Sequence, residues 1–290
     1  MVSKVFVAVL TLVASACTTT VASDAPATTV AADPLATGSQ PRTEVALETT
    51  STTTPEPTIK GGVPVAVLAT DTGGSARVQA TPFALRERNL STTDLLSPPP
   101  DDGVFRWTVS PIDDATLARS TWDEECPVSP DELSYVTVSF IGFDSKPHTG
   151  ELILHSDYAE EVAAIFGELF ERRFPIEEMR IVEPADLTPP HWGDTNNTSS
   201  FVCRKVTGGT RFSEHASGLA LDINPFHNPY VKSLTVIPAL AGSFGDRSWQ
   251  RTGMINVDDP VVAAFERIGW KWGGNWNSLK DYQHFSHNGR

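Results

Sequence analysis

Residues 213–222 read Ser-Glu-His-Ala-Ser-Gly-Leu-Ala-Leu-Asp, and residues 281–284, close to the last residue, read Asp-Tyr-Gln-His. His215, Asp222 and His284 supply two imidazoles and a carboxylate. That donor set suits zinc and leaves a fourth position for water. The gap between His215 and Asp222 constrains the fold. On one helix their α-carbons would lie about 10 Å apart. On one strand they would lie about 23 Å apart and on opposite faces. Neither arrangement reaches one ion through bonds of about 2 Å. The chain therefore has to fold back at Ser217-Gly218, because glycine accepts positive φ. The apolar Leu219-Ala220-Leu221 then delivers Asp222 from a strand. Asp281 precedes His284 by three residues, so one turn sets both on one side. His284 is then free to ligate, and Asp281 to take a proton from water whose acidity a metal has raised.

Outward from this stretch, 135–140 and 151–155 read as strands joined by a turn at Lys146-Pro147. Apolar residues at Val162, Ile165, Phe166, Leu169 and Phe170 predict a helix over 157–173, stopped by Phe174-Pro175. A second helix is expected over 259–268, with Pro260 in its first turn and Gly269 as its stop. Short strands are expected at 179–182, 200–205 and 219–223, and 194–200 reads as polar loop. No βαβ rhythm is present, so the fold class expected is α+β, an antiparallel sheet with flanking helices.

Residues 1–17 carry Lys4, an apolar run over 5–13 and small residues before Cys17. They read as a secretory signal, too short for a membrane span of about 20 residues. The small residues ending at Cys17 resemble a lipobox, which makes Cys17 the expected lipidation site; ordinary signal cleavage is the alternative. Residues 18–60 are rich in Thr, Ala, Pro and Ser, with no apolar periodicity, and suit a disordered tether. The stretch 61–100 is a partly ordered linker closed by Pro98-Pro99-Pro100, so the folded domain is expected over 101–290. Apart from Cys17 the cysteines are Cys126 and Cys203, the even number that an oxidising compartment favours. A Cys126–Cys203 disulfide is expected, two buried thiols being the alternative. The net charge is −14, and 1–100 holds eight acids and six bases, leaving −12 on 101–290. That argues against nucleic acid or an anionic lipid surface as the domain's partner.

Taken together, SxHxxGxAxD and DxxH resemble the zinc D-Ala-D-Ala carboxypeptidases and VanY-type peptidoglycan peptidases. These are part of the lysostaphin, D-alanyl-D-alanine metallopeptidase and hedgehog superfamily. The resemblance runs over about 134–287 and takes in Asn197-Thr198-Ser199-Ser200-Phe201 with Cys203-Arg204. It also takes in Asp222-Ile223-Asn224-Pro225 with Asn228-Pro229-Tyr230, and Gly269-Trp270 with Gly273-Gly274. It implies a hedgehog/DD-peptidase-like domain with Zn2+ on His215, Asp222 and His284, and Asp281 as the base. Some relatives carry Glu where this chain has Asp281.

The resemblance also implies an arginine that stabilises the oxyanion; Arg204 is preferred over Arg211 and Arg180. Ser213, Trp270 and Tyr282 are expected to touch substrate, although Trp270, Trp272 and Trp276 suit a core equally well. Asn224 is expected either to support the ligands or to shape a turn. His148 and His155 are expected to be structural, His191 and His227 to be surface residues, and His287 is a lesser alternative ligand. The implied activity is hydrolysis of an amide bond in peptidoglycan stem peptides. D-alanyl-D-alanine carboxypeptidase comes first and L-alanyl-D-glutamate endopeptidase second. The setting is a monomer held in a bacterial cell envelope by an N-terminal lipid anchor. A non-catalytic wall-binding module and a structural zinc domain are the rival classes.

Overall fold

The computed structural model describes residues 76–188, 193–206 and 209–290; the expected signal, Cys17, the tether before residue 76 and His191 lie outside them. The frame begins with β1 (Trp107–Pro111), α1 (Asp114–Arg119), β2 (Leu133–Ile141) and β3 (Pro147–His155). The three strands form one antiparallel sheet in the order β1-β2-β3. β2 and β3 pair along their whole length, Leu133 opposite His155 and Ile141 opposite Pro147. Because side chains alternate along a strand, the sheet feeds two cores. Val136, Val138, Phe140, Leu152 and Leu154 pack on one side. Leu133 and Ile153 pack on the other, with Val128, Ile181 and Phe201.

The first core is closed by α2 (Ala159–Glu171), whose Val162, Ile165, Phe166 and Leu169 are buried at helical spacing. Each such side chain contributes roughly 1.5–3 kcal/mol by leaving water. The helix ends where the sequence predicts, ahead of Phe174-Pro175.

Smaller elements follow. β4 (Glu178–Met179) and β5 (Asn197–Thr198) form a parallel pair. Then come β6 (Ala220–Asp222), β7 (Tyr230–Lys232), β8 (Thr235–Ile237), α3 (Pro260–Arg267), β9 (Lys271–Trp272), β10 (Lys280–Asp281) and β11 (His284–Ser286). They make two antiparallel sheets, in the orders β6-β11-β9 and β10-β7-β8. α3 starts at Pro260, with the Asp259 side chain accepting from the Val261 N–H at 3.0 Å. Small antiparallel sheets with few helices agree with the α+β expectation.

Three local expectations are corrected. Residues 200–205 form no strand, because their backbone groups bond elsewhere: Val202 N–H to the His215 carbonyl and Cys203 N–H to Thr121 Oγ1. The supposed polar loop 194–200 contains β5 and buries Asn196, Thr198 and Ser200. These polar groups are interior because each has a partner: Asn196 bonds Glu177 and the Phe226 N–H, and Ser200 Oγ bonds the Ala220 carbonyl. The stretch before Asp101 also enters the interior, with Leu85 and Arg88 at 0% and 1% exposure. Arg88 is held there by a two-pronged ion pair with Glu177, at 2.7 and 2.9 Å. Composition marked this stretch as linker because its few anchoring residues are diluted among polar ones.

Candidate metal centre

β11 is the hub of the site. In its antiparallel pairing with β6, His284 lies directly opposite Asp222. Strand pairing thus joins two of the expected ligands, which are 62 residues apart in sequence. His215 arrives from a single 3-10 turn, Glu214–Ser217, that Gly218 ends with φ +68°. The Gly218 N–H donates to the Glu214 and His215 carbonyls, and its carbonyl accepts the His155 N–H at 3.0 Å. A Cβ there would stand 2.5 Å from the His155 nitrogen. Only glycine suits both the left-handed backbone and the close approach to β3.

Three donor atoms converge. His215 Nε2 lies 3.2 Å from His284 Nδ1 and 3.3 Å from Asp222 Oδ1, and His284 Nδ1 lies 3.0 Å from the same oxygen. A tetrahedral zinc with bonds of about 2.0–2.1 Å separates its ligands by about 3.3–3.4 Å. The outer ring nitrogens fix the protons. His215 Nδ1 is 2.6 Å from the Ser200 carbonyl, and His284 Nε2 is 3.0 Å from the Arg290 backbone oxygen. Both oxygens can only accept, so both outer nitrogens donate. The inner lone pairs then face each other and the carboxylate, an arrangement that repels unless a proton or a cation lies between. Holding a ligand histidine by its far nitrogen is also how metal sites orient imidazole. The residues fit a divalent metal.

Residues 207–287 match the D-alanyl-D-alanine carboxypeptidase family. The match supports the resemblance carried by the two motifs, and it spans all three ligands and Asp281. Neither the curated proteins nor the solved structures contain a match to the chain. A peptidase of this family is a metallopeptidase by kind, and the triad supplies a possible metal-binding group.

Electrostatics sort the acids. Burial pushes the Asp222 carboxyl up, but His215 and His284 beside it outweigh this and hold it well below the usual carboxylate range. For His284, burial favours the neutral ring, yet its bond to Asp222 and the charges of Asp222 and Asp281 win and raise it. Asp281 behaves oppositely to Asp222. Burial, then the charge of Asp222, push it up to about 7, against the pull of His284 and Arg204. Its Oδ1 is buried with no hydrogen-bond partner among the described residues. A cation on the triad would favour the ionised form and bring it down. Gly273 lets this acid approach, since a Cβ there would sit 2.9 Å from Asp281 Cβ and 3.3 Å from His284 Cβ.

The remaining expected residues divide. The Cys126–Cys203 disulfide is formed, with α-carbons 5.8 Å apart. It pins the segment carrying Arg204 to the connection between α1 and β2. In a chain-entropy view, closing a loop of that 77-residue separation is worth about 4.5 kcal/mol. Arg204 is exposed, bonds only the Lys205 carbonyl among the described residues, at 3.3 Å, and is near enough to act on Asp281. Arg211 is exposed, whereas Arg180 is committed to Glu178 and Asp186. Ser213 is buried and shapes the turn, its N–H bonding the Arg204 carbonyl and its carbonyl accepting the Ala216 N–H.

Trp270 is not a groove wall. It is fully buried against Phe265 and Tyr158, because the core between α2 and α3 takes its whole ring. Trp276 borders the triad instead, its ring 5.4 Å from that of His284. Tyr282 lies under the Arg247 guanidinium at 4.4 Å and lines a cleft of about 550 Å³ that the triad does not share. His287 leans on Tyr158, away from the ligands.

His227 is not a surface residue. It is fully buried between Phe143 and Phe244 and hydrogen-bonded to Asn196 and the Arg88 carbonyl, and burial pushes it down to about 3. His148 is structural, held by Asp94 and Asp144. Asn224 bonds Thr198, Pro175 and Gly253, so it shapes the turn after Asp222 rather than touching a ligand. Ser200 was missed, since no sequence pattern marks a backbone carbonyl as a histidine's anchor.

Proposed function

We propose that the chain is a zinc peptidase that hydrolyses an amide bond in peptidoglycan stem peptides, D-alanyl-D-alanine carboxypeptidase being the first reading. The observation that carries it is the convergence of two oriented imidazoles and a carboxylate beside Asp281, whose Oδ1 is buried without a partner among the described residues. His215 Nε2, His284 Nδ1 and Asp222 Oδ1 would hold the metal. Zinc bound there would polarise a carbonyl and lower the pKa of water towards neutrality.

Asp281 takes the proton from the attacking water and returns it to the departing amine; a cation on the triad keeps it in the ionised form that a base requires. Arg204, positively charged and close enough to influence Asp281, is the residue we assign to the oxyanion. A free acceptor at Asp281 favours catalysis over a binding module, which would not need to keep a base buried. The disulfide supports an oxidising compartment, in keeping with export and a lipid anchor at Cys17. No helix among the described residues is long and apolar enough to cross a membrane.

The test is mass spectrometry of muropeptides treated with the zinc-loaded chain and with Asp281→Asn. Release of terminal D-alanine by the wild type alone is the expected result. A cut between L-alanine and D-glutamate would move the assignment to the endopeptidase. No cleavage at any zinc concentration would refute the peptidase reading.

A further inference from the structure

β7 and β10 are paired, and their register sets Tyr230 directly opposite Asp281. Cross-strand partners share one face, with Cβ atoms about 4.5–5.5 Å apart. The phenol therefore rises on the side of the sheet where Asp281 meets the triad. Burial first, and the charge of Asp281 second, raise the phenol's pKa, so it remains a protonated donor. The ring is half-buried, and its hydroxyl bonds nothing among the described residues. It is not spent on Asp281 Oδ1 either, which has no partner among the described residues. On the His284 side, the indole N–H of Trp276 is likewise buried without an acceptor. An idle acceptor and idle donors around one metal site are what a bound peptide group, which both donates and accepts, would satisfy.

We propose that Tyr230 is a catalytic residue that contacts substrate: its hydroxyl donates a hydrogen bond to an oxygen of the peptide held between the triad and Asp281. This rests on the peptidase reading above. The residue lies on β7, which pairs with β10, and neither zinc-motif half contains it.

The test compares the full zinc-loaded chain with Tyr230→Phe, which removes one oxygen and keeps the ring. On a stem peptide ending in D-alanyl-D-alanine, kcat/KM should fall about three- to tenfold, the range for one neutral hydrogen bond. The loss should appear mainly in KM, with zinc content, melting temperature and the acid limb of the pH profile unchanged. Leu234→Ser, at the 91% exposed tip of the same hairpin, should behave as wild type. Full kcat/KM in Tyr230→Phe would overturn the proposal. So would a loss confined to a shifted acid limb, because Tyr230 would then act through Asp281. An inactive wild type refutes the peptidase reading. In that event muropeptide binding is compared by calorimetry: weaker binding by the variant supports the contact, and equal binding removes it.

Discussion

Asp281→Asn is expected to stabilise the metal-free protein while removing its chemistry. The carboxyl is pushed from 3.8 up to about 7 by burial and by Asp222. Its folded-state value therefore exceeds its unfolded one, and the fold prefers the protonated acid. Stability contributed by that proton is lost as pH rises through about 7. At pH 8 the wild type holds an under-solvated charge, and asparagine does not. The rise from 3.8 to about 7, in which the bond from Gln283 is already counted, corresponds to at most about 4 kcal/mol.

For a domain of this size each kcal/mol moves the melting temperature by roughly 2–4 °C. Calorimetry after chelation should then show the variant melting several degrees above wild type at pH 8, with the gap narrowing at pH 5 and closing only below about pH 4. Turnover should move the other way, because an amide cannot accept the proton. kcat should fall by roughly 10²–10⁴ while bound zinc stays at the wild-type level. A variant that turns over normally, or one less stable than wild type at pH 8 without metal, would refute the reasoning.

The metal-free wild type should lose stability as pH rises from about 4 to 7, where the unfolded chain has released the Asp281 proton and the fold still keeps it, and further above pH 6.5 through the raised His284. Added zinc should reverse that slope, since it binds the deprotonated ligands; a flat metal-free profile would contradict this. Arg88→Met should cost about 3–5 kcal/mol in urea denaturation, because it leaves the Glu177 carboxylate buried with its two ionic bonds gone. A change below about 1 kcal/mol would show the pair to be dispensable. Gly218→Ala should weaken zinc binding about tenfold or more in a chelator competition, since φ of +68° and the 2.5 Å approach to His155 force the His215 turn to move. Wild-type affinity would refute that account.

Local patterning was legible wherever neighbours in sequence decide the structure. The helical spacing at Val162, Ile165, Phe166 and Leu169 and the Pro260 start of α3 are both present as read. The turn at Gly218 was legible for the same reason, because two ligands seven apart cannot share an ion unless the chain reverses. Residues whose environment comes from distant segments were misjudged. Trp270 and His227 are buried by elements far away in sequence, and hydropathy gives no sign of which indole or imidazole is enclosed. Residues 200–205 have a strand-like composition, yet their hydrogen bonds go to His215 and Thr121, so no ladder forms.

The sequence by itself determined the donor set, the family resemblance and the even pair of cysteines, because chemistry and spacing are properties of residue type and order. Tertiary structure alone decided what those groups do together. The pairing of β6 with β11 places Asp222 against His284, and carbonyls of Ser200 and Arg290 choose which imidazole nitrogens face inward. The pairing of β7 with β10 sets Tyr230 beside Asp281. Burial then raises one carboxylate and two histidines lower the other, although both are aspartates in the sequence. A proton's affinity depends on the charges and solvent around it, and those are fixed only when the chain has folded.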